Sequence, residues 1–147
     1  MNVVTGQHPR VETLATGLCV IYMEAGGVTT REYTSLADFQ DGSPSTLAAI
    51  TPAGGRTLVN RRMEVLFDNA SILIAVLTSL GDTWVLRYTA GGSYAEAFIA
   101  QNPNQSLGLL RDSGGSGRFF LATVHTTDGL RVTVLSTALA VVRTDNV

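Results

Sequence analysis

Ile72-Leu73-Ile74-Ala75-Val76-Leu77 is an unbroken run of six apolar residues. A strand with one wet face alternates apolar and polar side chains. An unbroken run of this length therefore predicts a strand covered on both faces. The rest of the chain is written in similar short stretches, separated by Gly26-Gly27, Gly81-Asp82, Gly91-Gly92 and Asp128-Gly129. Such pairs suit tight turns because glycine takes positive φ without a steric cost. Strands are predicted over 13–23, 28–33, 56–67, 72–80, 83–89, 94–100, 107–110, 118–126, 130–136 and 138–143. In the fifth of these, Trp84, Leu86 and Tyr88 point one way and Val85 and Arg87 the other. Eight to ten short strands, spaced by about 8–12 residues, predict an all-β chain. The candidate architectures are an antiparallel β-sandwich or barrel, a jelly roll among them. Helices long enough for a parallel sheet are absent from the pattern. One helical turn is expected at 35–39 with Ser35 as N-cap, and a second short helix at 45–50. Residues 1–10 read as an extended polar arm, and 11–147 as a single β domain.

Composition narrows what such a domain does. Charged residues make up 15% of the chain, against roughly 25% in an average domain. Mean hydropathy is +0.22. Lysine is absent, so ten arginines carry all the formal positive charge. Lysine is strongly hydrated and depleted at interfaces, whereas arginine is enriched there. A GC-rich genome produces the same bias, and the sequence leaves both causes open. Threonine fills many strand positions where lysine or glutamate could stand. It gives a weakly charged surface that another protein can cover with little desolvation. Net charge is −2, which offers nucleic acid no basic footprint. The first ten residues lack the basic-then-apolar pattern of a signal peptide. No apolar stretch nears the roughly 18 residues of a membrane helix. The single cysteine, Cys19, sits in an apolar run and reads as a buried thiol.

Few residues suggest chemistry. Asp112-Ser113-Gly114-Gly115 resembles the nucleophile motif of chymotrypsin-like serine proteases, in which the serine attacks beside oxyanion-stabilising amides. The resemblance stops at four residues: Arg111 and Ser116 replace the flanking glycine and proline. Upstream there is only His8, in the predicted arm, and His125 falls downstream on a strand. These spacings predict a glycine-rich surface loop and no enzyme. Two histidines and one cysteine, far apart, make no zinc spacing. Gly114-Gly115-Ser116-Gly117 lacks the Gly-Lys-Ser/Thr ending of a phosphate loop, so no cofactor is expected. The triplets beginning at Asn69 and Asn104 fit the glycosylation pattern as chance matches. Trp84, Tyr88 and Tyr94, close together across the Gly91-Gly92 turn, are candidates for a sugar-stacking platform or an interface. Arg61 and Arg62 are candidates for contact with an acidic partner.

A polar arm followed by compact strands punctuated at Gly81-Asp82, Gly91-Gly92 and Asp128-Gly129 resembles the small β-sandwich virion proteins of tailed bacteriophages, of decoration, fibre-head or tail type. The resemblance implies a structural subunit located in the virion. Such a subunit self-assembles as a trimer or higher ring, or binds a capsid or tail lattice, with arm or loops gripping its neighbours. Its partners would be itself and other virion proteins, not nucleic acid and not a membrane. The alternative expectation is a carbohydrate- or other ligand-binding β-sandwich module, with a glycan on the Trp84–Tyr94 aromatics.

Overall fold

Strand β6 (Ser71–Thr78) is buried at every one of its positions, as its apolar run predicts. Its side chains divide by parity. Ile72, Ile74 and Val76 enter one hydrophobic core, while Leu73, Ala75 and Leu77 enter another. The molecule is built around that division. A computed structural model describes residues 7–24, 26–68, 70–99, 104–125, 127 and 129–147. For residues 7, 8, 60–62, 104–106 and 125 only the backbone is described.

The central sheet has the order β5-β6-β7-β8 and contains β5 (Leu58–Asp68), β7 (Thr83–Thr89) and β8 (Ser93–Ile99) beside β6. The first sheet, β1-β2-β3-β4, comprises β1 (Gln7–Leu14), β2 (Gly17–Glu24), β3 (Gly27–Tyr33) and β4 (Thr46–Ile50). It places Cys19, Ile21, Met23 and Val28 against Ile72, Ile74, Trp84, Leu86 and Tyr88. The third sheet, β12-β11-β10-β9, comprises β9 (Asn104–Arg111), β10 (Phe119–His125), β11 (Gly129–Leu135) and β12 (Val141–Asn146). Its Phe119, Leu121 and Leu135 cover Leu73, Ala75 and Val85. All pairings are antiparallel. Each sheet is therefore a meander of strands consecutive in sequence, and in the central one β6 and most of β7 are covered on both faces. Each fully buried leucine or isoleucine contributes roughly 1.5–3 kcal/mol.

The fold is all-β, as expected, with three sheets and twelve strands among the described residues. The longer-range pairing of a jelly roll does not occur among those strands. Residues 7–10, expected in an arm, open β1, with Gln7 opposite Met23 and Arg10 opposite Ile21. The rest of the expected arm, 1–6, lies outside the described residues. The helix expected at 45–50 is strand β4, where Ile50 pairs with Val28 and Leu47 with Arg31. Pairing to β3 outweighs the weak helical preference of Leu47-Ala48-Ala49. The helical turn is present as α1 (Leu36–Asp41): the Ser35 side chain accepts from the Asp38 amide at 3.1 Å, and Gly42 closes the helix at φ 70°. The Gly81-Asp82 turn is longer than two residues, because β6 ends at Thr78 and β7 begins at Thr83. Gly17 is irreplaceable in the β1–β2 hairpin. Its φ is +141°, and a β-carbon there would sit 2.0 Å from the Tyr33 carbonyl oxygen.

Coverage of β6 on both sides makes a direct prediction. Ile74→Ala and Leu73→Ala face opposite cores, and each should cost roughly 2–5 kcal/mol in urea unfolding. A loss below about 1 kcal/mol for either would show that one face of the central sheet is not a core.

Candidate functional site

The aromatic candidates separate. Trp84 and Tyr88 are fully buried, because their face of β7 is the one packed against the first sheet. The Trp84 indole donates to Glu96 Oε2 at 2.8 Å. Tyr88 Oη donates to Glu32 Oε1 at 2.5 Å, and the Gly91 amide donates to the same oxygen at 2.8 Å. Tyr94 is opposite Tyr88 in the β7–β8 register and is 52% exposed. The sugar-stacking platform expected from Trp84, Tyr88 and Tyr94 is therefore corrected: two of its three rings present no face to a ligand. The Arg61 and Arg62 side chains lie outside the described residues.

The Glu32–Tyr88 contact belongs to a polar cluster inside the first core. Cys19 has no exposure. Its thiol is pushed up to about 12, first by burial and then by the charges of Glu32 and Glu12. Burial and the hydrogen bond to Glu32 push the Tyr88 phenol up as well. This is the environment of a structural thiol, not of a nucleophile.

Asp112 is engaged within its own loop. The Asp112 carboxylate accepts from the Gly114 amide at 2.9 Å and from Ser116 Oγ. The Ser116 hydroxyl and the Gly114 amide hold it below the usual carboxylate range. Both of its oxygens are committed to closing their own loop, and Ser113 is exposed on that loop. The side chain of His125 lies outside the described residues. Among the described residues, no group of three or more His, Cys, Asp or Glu is placed to hold a metal ion. Among the described residues, too, no helix is long and apolar enough to cross a membrane.

Several arginines tie elements together. Arg87 on β7 donates to Asp68 at 2.8 Å, to Ser71 Oγ at 3.3 Å and to the Thr137 carbonyl. It also stands 5.2 Å from the centre of the Phe119 ring. Arg111 on β9 reaches the other Asp68 oxygen at 3.2 Å. One carboxylate on β5 thus links the central and third sheets. Away from this seam, Arg56 pairs with Asp82 at 2.7 Å while lying 4.0 Å over Phe98.

The outer face of the third sheet is the candidate functional surface. Register places Leu110, Phe120 and Val134 in one row across β9, β10 and β11. Gly108, Ala122 and Val132 form the next row, and Val124 and Leu130 pair beyond it. Every one of these side chains is apolar or absent. Leu110 is 65% exposed, Val124 39% and Leu130 41%, whereas Val134 is covered, at 3%. At the Val124–Leu130 end the side facing into the molecule carries Thr123 and Arg131. There the apolar side of the sheet points outward. Gly108, Leu110, Phe120, Ala122 and Val132 line an open apolar hollow of about 470 Å³. Charge returns to this face on the edge strand β12, where Arg143 and Asp145 are opposite Val134 and Val132 and pair at 2.9 Å.

Sequence reasoning does not single these residues out as a site. Phe119-Phe120-Leu121-Ala122 is apolar at both parities, but which parity faces outward, and what lies beside it, comes only from the register.

No known protein family, no curated protein and no solved structure matches this chain.

Three outcomes follow from the interior. The Cys19 and Tyr88 values are raised, so the folded state holds those protons more tightly than the unfolded chain. The stability they contribute is complete below pH 9, the ordinary thiol value, and is lost as pH rises toward about 12. Thermal melts should fall across that window, and Cys19→Ala should flatten the slope. At pH 8 a thiol reagent should label Cys19 only on unfolding, and rapid native labelling would contradict the burial. Arg87→Met should cost about 2–3 kcal/mol, less than a fully buried pair because a fifth of the side chain remains exposed. A double-mutant cycle with Asp68→Asn measures the coupling, and zero coupling would remove Asp68 as the link between the sheets.

Proposed function

We propose that this chain is a structural subunit that self-assembles, or binds a capsid or tail lattice, through apolar sheet surface, as virion proteins of tailed bacteriophages do. One observation carries the reading: the outer face of the third sheet is apolar across three adjacent strands, with charge confined to its edge strand. A sheet face meant for water alternates out to polar side chains. Contiguous apolar surface of this kind marks an interaction site, and covering it releases about 25 cal/mol per Å². The low charge content supports the same reading, because few hydrated groups would need to be stripped on contact. The function is adhesion, and it requires no reacting group. With Trp84 and Tyr88 buried, Tyr94 alone of the expected platform is open to a glycan, so the glycan-binding alternative is the weaker reading.

Light scattering coupled to gel filtration tests the proposal. At about 100 µM, where even a weak assembly with micromolar affinity is populated, the mass should exceed that of one 15.6 kDa chain. A monodisperse single-chain species at that concentration would contradict self-assembly.

A further inference from the structure

We infer that the outer face of the third sheet is a twofold interface with a second copy of this chain, each copy presenting the same face to the other. The inference rests on the self-assembly reading above and names its contact.

Shape is the first argument. Gly108 has no side chain, and a β-carbon built there meets only the Ala122 methyl at 3.7 Å. The two small residues open the hollow of about 470 Å³, and Leu110, 65% exposed, stands at its rim. A projecting leucine beside an apolar hollow makes the face complementary to itself. A twofold axis through the face sets the Leu110 of each copy over the hollow of the other. This is the residue-to-residue reciprocity of an isologous contact.

Charge is the second argument. A twofold contact sets every charge of a face against its own copy, so a face bearing one sign would repel itself. Here the rim carries one arginine and one aspartate, Arg143 and Asp145, already paired within β12. Turned about a twofold, Arg143 of one copy can meet Asp145 of the other on both sides. The pair sums to zero, so this rim does not select a polyanion, an acidic lipid surface or a basic partner.

Area is the third. Four strands spaced about 4.8 Å apart, each some seven residues long at about 3.4 Å per residue, give a footprint of roughly 450 Å². Two such faces total about 900 Å² before side-chain relief is counted. That total, counted over all four strands, is close to the roughly 1,000 Å² that a specific interface needs.

The test compares full-length chains by sedimentation equilibrium. The wild type should form pairs, or assemblies of even number. Leu110→Glu, a change at an exposed position, should raise the dissociation constant roughly a hundredfold by placing a carboxylate in the apolar contact. Leu47→Glu on β4 of the first sheet, where Leu47 is 60% exposed, should leave it within about twofold. Arg143→Asp should weaken pairing, and adding Asp145→Arg should restore it. Both rim positions are solvent-exposed, so these variants test the face without testing the fold. A monomeric wild type would overturn the self-assembly reading and this inference together. A closed trimer, which contains no twofold contact, would overturn this interface alone. So would an assembly that Leu110→Glu and the rim variants leave intact.

Discussion

The structure depends on a strand at the heart of the central sheet that must be kept dry on both sides. Strand β6 turns isoleucine and valine one way and leucine and alanine the other, so no single partner layer could bury it. The first and third sheets cover its two faces. The chain reaches this arrangement by the shortest route: three meanders in sequence order, with one connection from β4 to β5 and another from β8 to β9. Trp84, Leu86 and Tyr88 face the first sheet for the same reason that Val85 faces the third: alternation on β7 is read against two cores, not one core and solvent.

Stacked sheets need ties where polar groups meet the seams, and arginine supplies several. Arg87 combines a carboxylate, a hydroxyl, a backbone carbonyl and an aromatic face within one side chain's reach. Arg56 does likewise with Asp82, the Ala53 carbonyl and Phe98, and Arg31 bonds and overlies Tyr22. A planar guanidinium can donate in its plane and stack through its face, whereas a lysine ammonium is a point charge. The absence of lysine first suggests an outward role for the arginines. Much of their observed role is inward, bracing elements against one another. That shifts the weight of the assembly argument from the arginines to the apolar face of the third sheet.

The Glu32–Tyr88–Gly91 contact adds position to packing. Hydrophobic burial is non-directional, so two apolar sheet faces could slide over each other at little cost. A buried carboxylate that accepts from a phenol on β7 and an amide in the β7–β8 turn does not tolerate sliding, because its lost hydrogen bonds would leave buried charge unsatisfied. This contact holds β3 in place against β7.

The sequence alone determined the all-β class, the turn positions and the strand covered on both faces, because these follow from local chemistry: apolar runs of strand length, glycine at positive φ, a serine cap on α1. Burial of Cys19 was legible for the same reason. Period-two spacing put Trp84 and Tyr88 on one face but could not say whether that face met water. Nor could it show that 45–50 would pair as β4, since pairing energy comes from a partner strand. Leu110, Phe120 and Val132 were unreadable as a surface because they come from three strands, and only register brings them together. Which side of the third sheet faces the core was decided by tertiary structure. The physical reason is that a strand apolar at both parities has no preferred inside until another layer covers one of its faces.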